Sequence, residues 1–255
     1  MDTNFRRLLD EVLTKEGILS KCYTLLYSYS LANSVLLASQ QEERGQEIAP
    51  CASFAKWQSL GGKIKKGSKA LYVFIPKMKT YILKDENGEE TPVKLPYGFF
   101  LKNAVFSLND IDGIERAKLP EVKNGFNLSK VMKELNIKQV NFESVNGNSQ
   151  GYCCTDTKEI AINPIACNAF KTAIHEIAHA VLHTTKKGKE IKRSTKEVEA
   201  ETTAYIILNT LGITNYNKEM RGYIQNWASG NEIKETTAQR IFGAASKILK
   251  LGLAE

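Results

Sequence analysis

The spacing of apolar residues predicts helices at both ends of the chain. Residues 3–16 place apolar side chains at three- and four-residue intervals, as one helix face requires, and Gly17 follows as a stop signal. A second apolar run, residues 18–40, predicts one helix or two. Further helices are predicted at residues 54–60, 126–135, 195–211, 223–227 and 237–251.

Between these helices lie runs rich in β-branched and aromatic residues, which are typical of strands. The first group is residues 70–75, 80–84 and 99–108, with Asn87-Gly88 as a hairpin turn, and the second is residues 138–143, 152–155 and 159–163. We therefore predict an α+β fold with N-terminal helices and a small antiparallel sheet. A polar segment with glycine and proline, residues 111–127, places the boundary between two domains, 1–120 and 121–255.

Composition places the chain among globular proteins. Hydrophobic residues make up 42% of the 255 residues and charged residues 25%. No apolar run reaches membrane-spanning length and the N-terminus has no signal-peptide pattern, so we expect a cytoplasmic protein without a membrane partner. The five cysteines form no C-x-x-C pair, which favours reduced thiols.

The net charge of +7 is unevenly distributed. From residue 48 to residue 83 there is no Asp or Glu, although the window contains Lys56, Lys63, Lys65, Lys66, Lys69, Lys77 and Lys79. Such a stretch suits a polyanion, because lysines that neutralise phosphates release counterions. An ordinary solvated lysine face is the alternative, and charge alone does not decide between them. Tyr29 and Trp57 could add base stacking or could belong to the core.

A metal-binding pattern occupies residues 175–179, His-Glu-Ile-Ala-His. An apolar stripe over residues 170–181 predicts a helix, on which His175 and His179 stand one turn apart and can share one ion. Glu176 follows the first ligand, within reach of a water at the metal. Imidazole and carboxylate ligands suit Zn²⁺, and a catalytic zinc keeps one position for water. Hydrogen-bonded core histidines are the alternative, but two at this spacing around a glutamate favour the metal.

A third ligand is expected downstream. His183 lies roughly 12 Å beyond His175 along a helix, too far to share the ion, and is expected to be structural or to support a ligand. Residues 197–200, Glu-Val-Glu-Ala, resemble the Glu-x-x-Ala motif of gluzincin metallopeptidases, which implies Glu197 as ligand. Glu201, on the same helix face, would then orient a histidine, although it is also the alternative ligand. Glu197 could instead close a capping box with Ser194.

Three further segments resemble ArdC-like antirestriction proteins. Residues 27–37, YSYSLANSVLL, with Gln40, are similar to a helix of that family. Residues 54–67, FAKWQSLGGKIKKG, resemble its F-x-x-W … G-x-x-V-x-K-G segment, and residues 104–109, AVFSLN, resemble its V-F-x-x-x-Q strand. The resemblance implies an N-terminal domain that binds single-stranded DNA and a C-terminal zincin-like metallopeptidase domain.

On this reading, residues 1–120 bind single-stranded DNA and residues 121–255 hydrolyse a peptide or protein substrate. The implied DNA contacts are Lys56, Lys63, Lys65, Lys66, Lys69, Trp57 and Tyr29. Glu176 would be the general base of a zinc-dependent hydrolysis, and Tyr223 is a candidate to stabilise the oxyanion. Two alternatives stay open: a regulatory metallopeptidase that cleaves a repressor, and a DNA-binding shield whose metal site is structural.

Overall fold

The computed structural model describes residues 4–15, 17–26, 28–84, 89–114, 125–143, 149–185, 188, 190–230 and 233–253. The helices are α1 (Phe5–Thr14), α2 (Ile18–Leu26), α3 (Leu31–Glu43), α4 (Phe54–Ser59), α5 (Leu128–Glu134), α6 (Ala169–Leu182), α7 (Arg193–Thr210), α8 (Asn217–Gly230) and α9 (Glu235–Leu253). The strands are β1 (Cys51–Ser53), β2 (Lys63–Ile64), β3 (Leu71–Lys84), β4 (Glu90–Ser107), β5 (Ile111–Asp112), β6 (Lys138–Gln139), β7 (Gly151–Cys154) and β8 (Glu159–Ile162). Helices combined with small, largely antiparallel sheets confirm the predicted α+β class.

The chain divides into two compact units. Unit 1 contains Met1–Ala32 and Glu121–Glu255, and unit 2 contains Asn33–Pro120. The first 32 residues, which the sequence analysis assigns to a domain of residues 1–120, are grouped here with the C-terminal part. The reason is the apolar face of α1, whose Phe5 ring lies edge-on to Phe242 of α9 at a centroid distance of 6.4 Å. The carboxylate of Glu235 also accepts from the Phe5 and Arg6 backbone N–H groups.

Unit 1 is built around α7. This helix is buried almost all round after its first turns, and it contacts α2, α6, α8 and α9. Its surroundings explain why it lacks a clear polar face, because a helix covered on every side has no solvent-facing stripe. Helix α6 lies between α7 and the sheet, whose order is β6-β8-β7, with β7 antiparallel to β8. The elements that bear the metal motif are thus buried in the core of this unit.

Unit 2 contains a three-stranded sheet of order β1-β4-β3 and the two-stranded β2-β5 pair. Strands β3 and β4 form one long antiparallel ribbon that pairs Leu71 with Val105 at one end and Lys84 with Glu90 at the other. Two amides of α3 bind the β3 backbone: Asn33 exchanges hydrogen bonds with Phe74, and Gln40 with Tyr72. These contacts satisfy edge groups that would otherwise be open to another strand.

The element predictions agree with the structure in position and differ in extent. Residues 18–40 fall into two helices, α2 and α3, and the separately predicted strands 70–75 and 80–84 are one strand, β3. The predicted turn at Asn87-Gly88 lies outside the described residues. Among the helices in the described ranges, none is both long and apolar enough to cross a bilayer.

Candidate metal centre

Helix α6 presents the histidines of the motif. It begins after Asn168, whose side-chain oxygen accepts from the Lys171 backbone N–H at 2.9 Å, as a helix N-cap does. His175 and His179 project from one face of this helix, and their Nε2 atoms lie 3.1 Å apart. His179 is buried and His175 partly so. The predicted pairing of these two imidazoles is therefore present in the geometry.

Helix α7 brings Glu197 to the same point. Its Oε2 atom lies 3.5 Å from the Nε2 atoms of both His175 and His179. The helix begins at Arg193, so Ser194 lies inside it and not at the N-cap position. Ser194 therefore cannot form a capping box with Glu197. The Glu197 carboxylate is thus directed at the histidine pair, as the resemblance to gluzincins implies.

These three atoms can hold one metal ion, and they all lie within 4.8 Å of one another. Ligand bonds of about 2.0–2.1 Å in tetrahedral geometry place ligand atoms about 3.4 Å apart, close to the separations in this group. Two imidazoles and one carboxylate are also the donor types that a zinc or similar divalent site uses. The residues therefore fit a divalent metal.

Glu201 lies behind the ligands. Its Oε2 atom accepts from His175 Nδ1 at 2.9 Å, while its Oε1 atom lies 3.2 Å from Lys171 Nζ. This contact leaves His175 Nε2 free to face the other two proposed ligands, and the supporting role of Glu201 stays a prediction. Burial opposes charge on His175, but its bonds to Glu197 and Glu201 outweigh burial and raise its pKa to about 9. The bonds to His175 and His179 hold the pKa of Glu197 well below its usual range.

A second buried chain of contacts lies behind His179. His179 Nδ1 is 3.0 Å from His183 Nδ1, and His183 Nε2 is 2.9 Å from Glu199 Oε2. Arg240 of α9 lies 3.2 Å from the same Glu199 oxygen. The sequence analysis predicted no role for Glu199 or Arg240. Their signal was weak: Glu199 points away from the ligand face, and Arg240 is 41 positions further along the chain.

Glu176 stands beside the proposed ligands in a cleft of about 510 Å³ lined also by Gly151, Lys171 and Tyr216. It is 7% exposed, and burial raises the pKa of its carboxyl. A Cβ at Gly151 of β7 would lie 2.7 Å from Thr172 Cγ2 and 3.3 Å from Glu176 Oε1, so a glycine lets the strand approach this carboxylate. The cleft therefore combines a buried carboxylate with the edge of a sheet.

Comparison with known proteins shows one matching family model and similar solved structures. Residues 14–106 match the family model for the N-terminal domain of anti-restriction factor ArdC. Over these residues the chain is ArdC-like. A crystal structure of the metal-free antirestriction ArdC protein from plasmid R388 superposes with a TM-score of 0.56 at 20% identity, covering 99% of this chain and 98% of that one. Its Mn(II)-bound structure gives a TM-score of 0.54 at 18% identity over 98% of both chains.

A longer bacterial protein is also similar to this chain. The uncharacterized Bacillus anthracis protein pXO2-81 is 24% identical over 284 aligned positions, which cover 87% of this chain. The chain spans 45% of that relative's length. At these identities the likeness to the R388 structures establishes the fold of this chain but not its chemistry.

The residues predicted to contact DNA differ in how far they are exposed to solvent. Its five predicted lysine contacts are exposed in unit 2: Lys56, Lys63, Lys65, Lys66 and Lys69. Trp57 is 5% exposed and donates from Nε1 to the Phe106 carbonyl at 2.9 Å, so its predicted stacking role is corrected to a core role. Tyr29 is half-buried and belongs to unit 1. Of the seven predicted DNA contacts, the five lysines are the ones that are exposed to solvent.

Proposed function

We propose that this chain is a metal-dependent hydrolase of the metallopeptidase type, joined to a unit that binds single-stranded DNA, and that it acts in antirestriction on a mobile element. The observation that carries the hydrolase proposal is the convergence of His175, His179 and Glu197 beside the buried carboxylate of Glu176. The R388 relative, which has been crystallised with Mn(II), supports a divalent metal. Zinc is our proposal for the ion because of the donor set.

A divalent metal bound by these three residues supplies a Lewis acid that acidifies water and polarises a carbonyl. Glu176 accepts the proton from the attacking water and later returns it to the leaving amine. Burial of this carboxyl supports the base role, because a raised pKa brings it closer to the working pH. Strand β7, which pairs with β8 at the end of its sheet, offers an edge on which a substrate backbone can add.

Tyr223 of α8 is the proposed oxyanion donor. Its side chain is 47% exposed, and burial together with the negative charges of Glu197 and Glu201 raises the pKa of the phenol. A phenol that stays protonated can donate to the oxygen on which negative charge develops.

The test of the hydrolase proposal is metal-dependent activity of the purified chain. We expect about one divalent ion per chain by elemental analysis, and cleavage of an unfolded protein substrate such as casein that stops after chelation. Zn²⁺ and Mn²⁺, added back separately, identify the ion that restores cleavage. A chain that stays metal-free after incubation with either ion at neutral pH would contradict the proposed site.

The DNA-binding proposal rests on a further observation, one face of the β3–β4 ribbon. The register places the side chains of Lys77, Lys79 and Tyr81 on the same face as Phe100 and Lys102; we call these five residues the ribbon face. Tyr81 and Phe100 are 39% and 41% exposed, and Lys79 Nζ lies 5.7 Å from the centre of the Tyr81 ring. Residues 71–83 and 91–107 contain no Asp or Glu. Exposed rings between lysines are what a single strand needs for base stacking and phosphate contact.

Replacing Lys77 and Lys79 together by alanine should weaken binding to oligonucleotides of every sequence alike. Each lost phosphate contact reduces the slope of log affinity against log salt by about 0.7, so two contacts remove about 1.4. Titration of a fluorescent single strand at several salt concentrations measures this slope. Lys94→Ala is the matched control because Lys94 pairs with Thr80 on the opposite face of the ribbon. An unchanged slope in the double variant would exclude the ribbon face as the DNA surface.

The ribbon face also favours a second candidate function, a DNA shield that does not need hydrolysis. Both strands that carry this face belong to unit 2, whereas the metal ligands belong to unit 1. Binding and hydrolysis therefore rest on different compact units, and either could act without the other. Protection of single-stranded DNA from a nuclease distinguishes the two functions when it is measured on a variant that lacks hydrolysis.

A further inference from the structure

We call His175, His179 and Glu197 the ligand group. A line of polar contacts runs from this group into the core of unit 1. It starts at His179, passes through His183 and Glu199, and ends at Arg240 of α9. Each step is at hydrogen-bond or ion-pair distance: 3.0 Å, 2.9 Å and 3.2 Å in that order. His183 is fully buried and Glu199 is 1% exposed, so neither has water as an alternative partner. We call these residues the relay.

With a metal ion bound, the relay has one consistent direction of donation. His179 directs Nε2 at the point that it shares with His175 and Glu197, and when His179 is a metal ligand this nitrogen must turn its lone pair toward the ion. A neutral imidazole has one N–H, which therefore sits on Nδ1 and donates to His183 Nδ1. The His183 proton must then be on Nε2, where it donates to Glu199. An ionised carboxylate accepts this bond, and Arg240 supplies the compensating charge that its burial requires.

Arg240 is itself held in place. Its Nη2 atom donates to the Leu182 carbonyl at 2.9 Å, at the C-terminal end of the helix that bears the ligands. The same nitrogen therefore contacts both Glu199 and the last residue of α6. Because the guanidinium is planar and always charged, it holds the Glu199 carboxylate in position.

We propose that Arg240, Glu199 and His183 are positioning residues that hold His179 in its Nδ1–H tautomer and thereby set the metal affinity of the centre. The proposal rests on the proposed metal-binding function. It assigns the two histidine ligands to separate supports, His175 to Glu201 and His179 to the relay. Both supporting carboxylates come from α7, two positions apart, and they point to opposite sides of the ligand pair.

The first test is the affinity for Zn²⁺ of variants at Arg240, which touches no ligand. Arg240→Ala should weaken Zn²⁺ binding roughly 10–100-fold in competition with a chromophoric chelator, the range typical for outer-shell partners. Arg240→Lys, which keeps the charge, should recover most of the loss. Lys250→Ala removes an exposed cation from the same helix and should change nothing. An Arg240→Ala protein that is folded and binds Zn²⁺ as tightly as wild type would overturn the proposal.

A double-mutant comparison separates the relay from a general loss of structure. Arg240→Ala combined with Glu199→Gln should weaken Zn²⁺ binding by less than the product of the two single effects, because both changes interrupt one chain of contacts. Arg240→Ala combined with Glu201→Gln should give the full product, because Glu201 supports the other histidine. Thermal unfolding of all variants shows whether they are folded at the measuring temperature. Equal coupling of Arg240 to Glu199 and to Glu201 would contradict the separate supports.

The tautomers provide a test that needs no substrate. Long-range ¹H–¹⁵N spectra of the Zn²⁺-bound protein should show His179 protonated on Nδ1 and His183 on Nε2. The opposite assignment for His183 would overturn the relay even if the chain proved to be an active hydrolase. Conversely, the expected tautomers in a protein that hydrolyses nothing would support the relay while the hydrolase proposal fails.

Discussion

Replacing Glu176 with glutamine is expected to abolish hydrolysis and to leave metal binding and DNA binding intact. The change preserves the shape of the side chain and removes no proposed ligand, because the ligand group consists of His175, His179 and Glu197. It removes the carboxylate that takes the proton from water, and loss of general-base catalysis costs roughly 10²–10⁴-fold in rate. Because burial disfavours the charged form of Glu176, the neutral amide should not weaken the fold.

The measurement is the rate of casein cleavage alongside nuclease protection of single-stranded DNA, on wild type and variant. Glu219→Gln is the matched control, since Glu219 lines the same cleft with a side chain that is 79% exposed. If wild type and Glu176→Gln protect single-stranded DNA equally, protection does not need hydrolysis, which favours the shield function. Lost protection with intact DNA binding would show that hydrolysis is needed. Full cleavage by Glu176→Gln would refute the base role.

The ligand group could be predicted from sequence because its members are close along the chain or follow a known motif. His175 and His179 are one helical turn apart, so the local periodicity alone places them together. Glu197 required the resemblance to gluzincins, because several carboxylates in residues 197–201 were available. The position of the helix start decided against a capping role, and residue patterns locate helix starts less well than helix interiors.

The relay could not be predicted because its members meet only through tertiary packing. His183 and Glu199 are 16 positions apart on different helices, and Arg240 belongs to a third. Residues that meet from three distant parts of the chain follow no periodic spacing in the sequence, so no residue pattern identifies them. Trp57 is a second example. From sequence, an aromatic residue in a basic segment is equally compatible with base stacking and with a place in the core, and only the structure shows its indole N–H bonded to the Phe106 carbonyl.

The extent of the β3–β4 ribbon also exceeded what the pattern predicted. Pro76, Pro92 and Pro96 interrupt the runs of β-branched residues, and proline within a run argues against a central strand. In the ribbon, however, residues beyond the short β1 partner have only one neighbouring strand, and proline is tolerated where the backbone N–H would face outward. The separate predicted strands were therefore parts of continuous ones.

Glu197→Ala is expected to release the metal, whereas Glu201→Ala is expected to retain it with lower affinity. Among the residues that the structure describes, Glu197 alone places a carboxylate oxygen at 3.5 Å from the Nε2 atoms of both His175 and His179. Glu201 contacts the other ring nitrogen of His175, Nδ1, at 2.9 Å, and thus orients the ligand from behind. Removing a ligand leaves two donors for an ion that uses three from the protein, while removing an outer partner costs roughly 10–100-fold in affinity.

Elemental analysis after dialysis against micromolar Zn²⁺ distinguishes these outcomes. The Glu197→Ala protein should contain no stoichiometric metal, and the Glu201→Ala protein should remain near one ion per chain at that concentration. The Glu197 side chain is 38% exposed and the Glu201 side chain 12%, so the fold should tolerate the first change better than the second. A loss of metal confined to Glu197→Ala therefore cannot be attributed to unfolding. The reverse order, with metal lost from Glu201→Ala alone, would make Glu201 the ligand and Glu197 its neighbour.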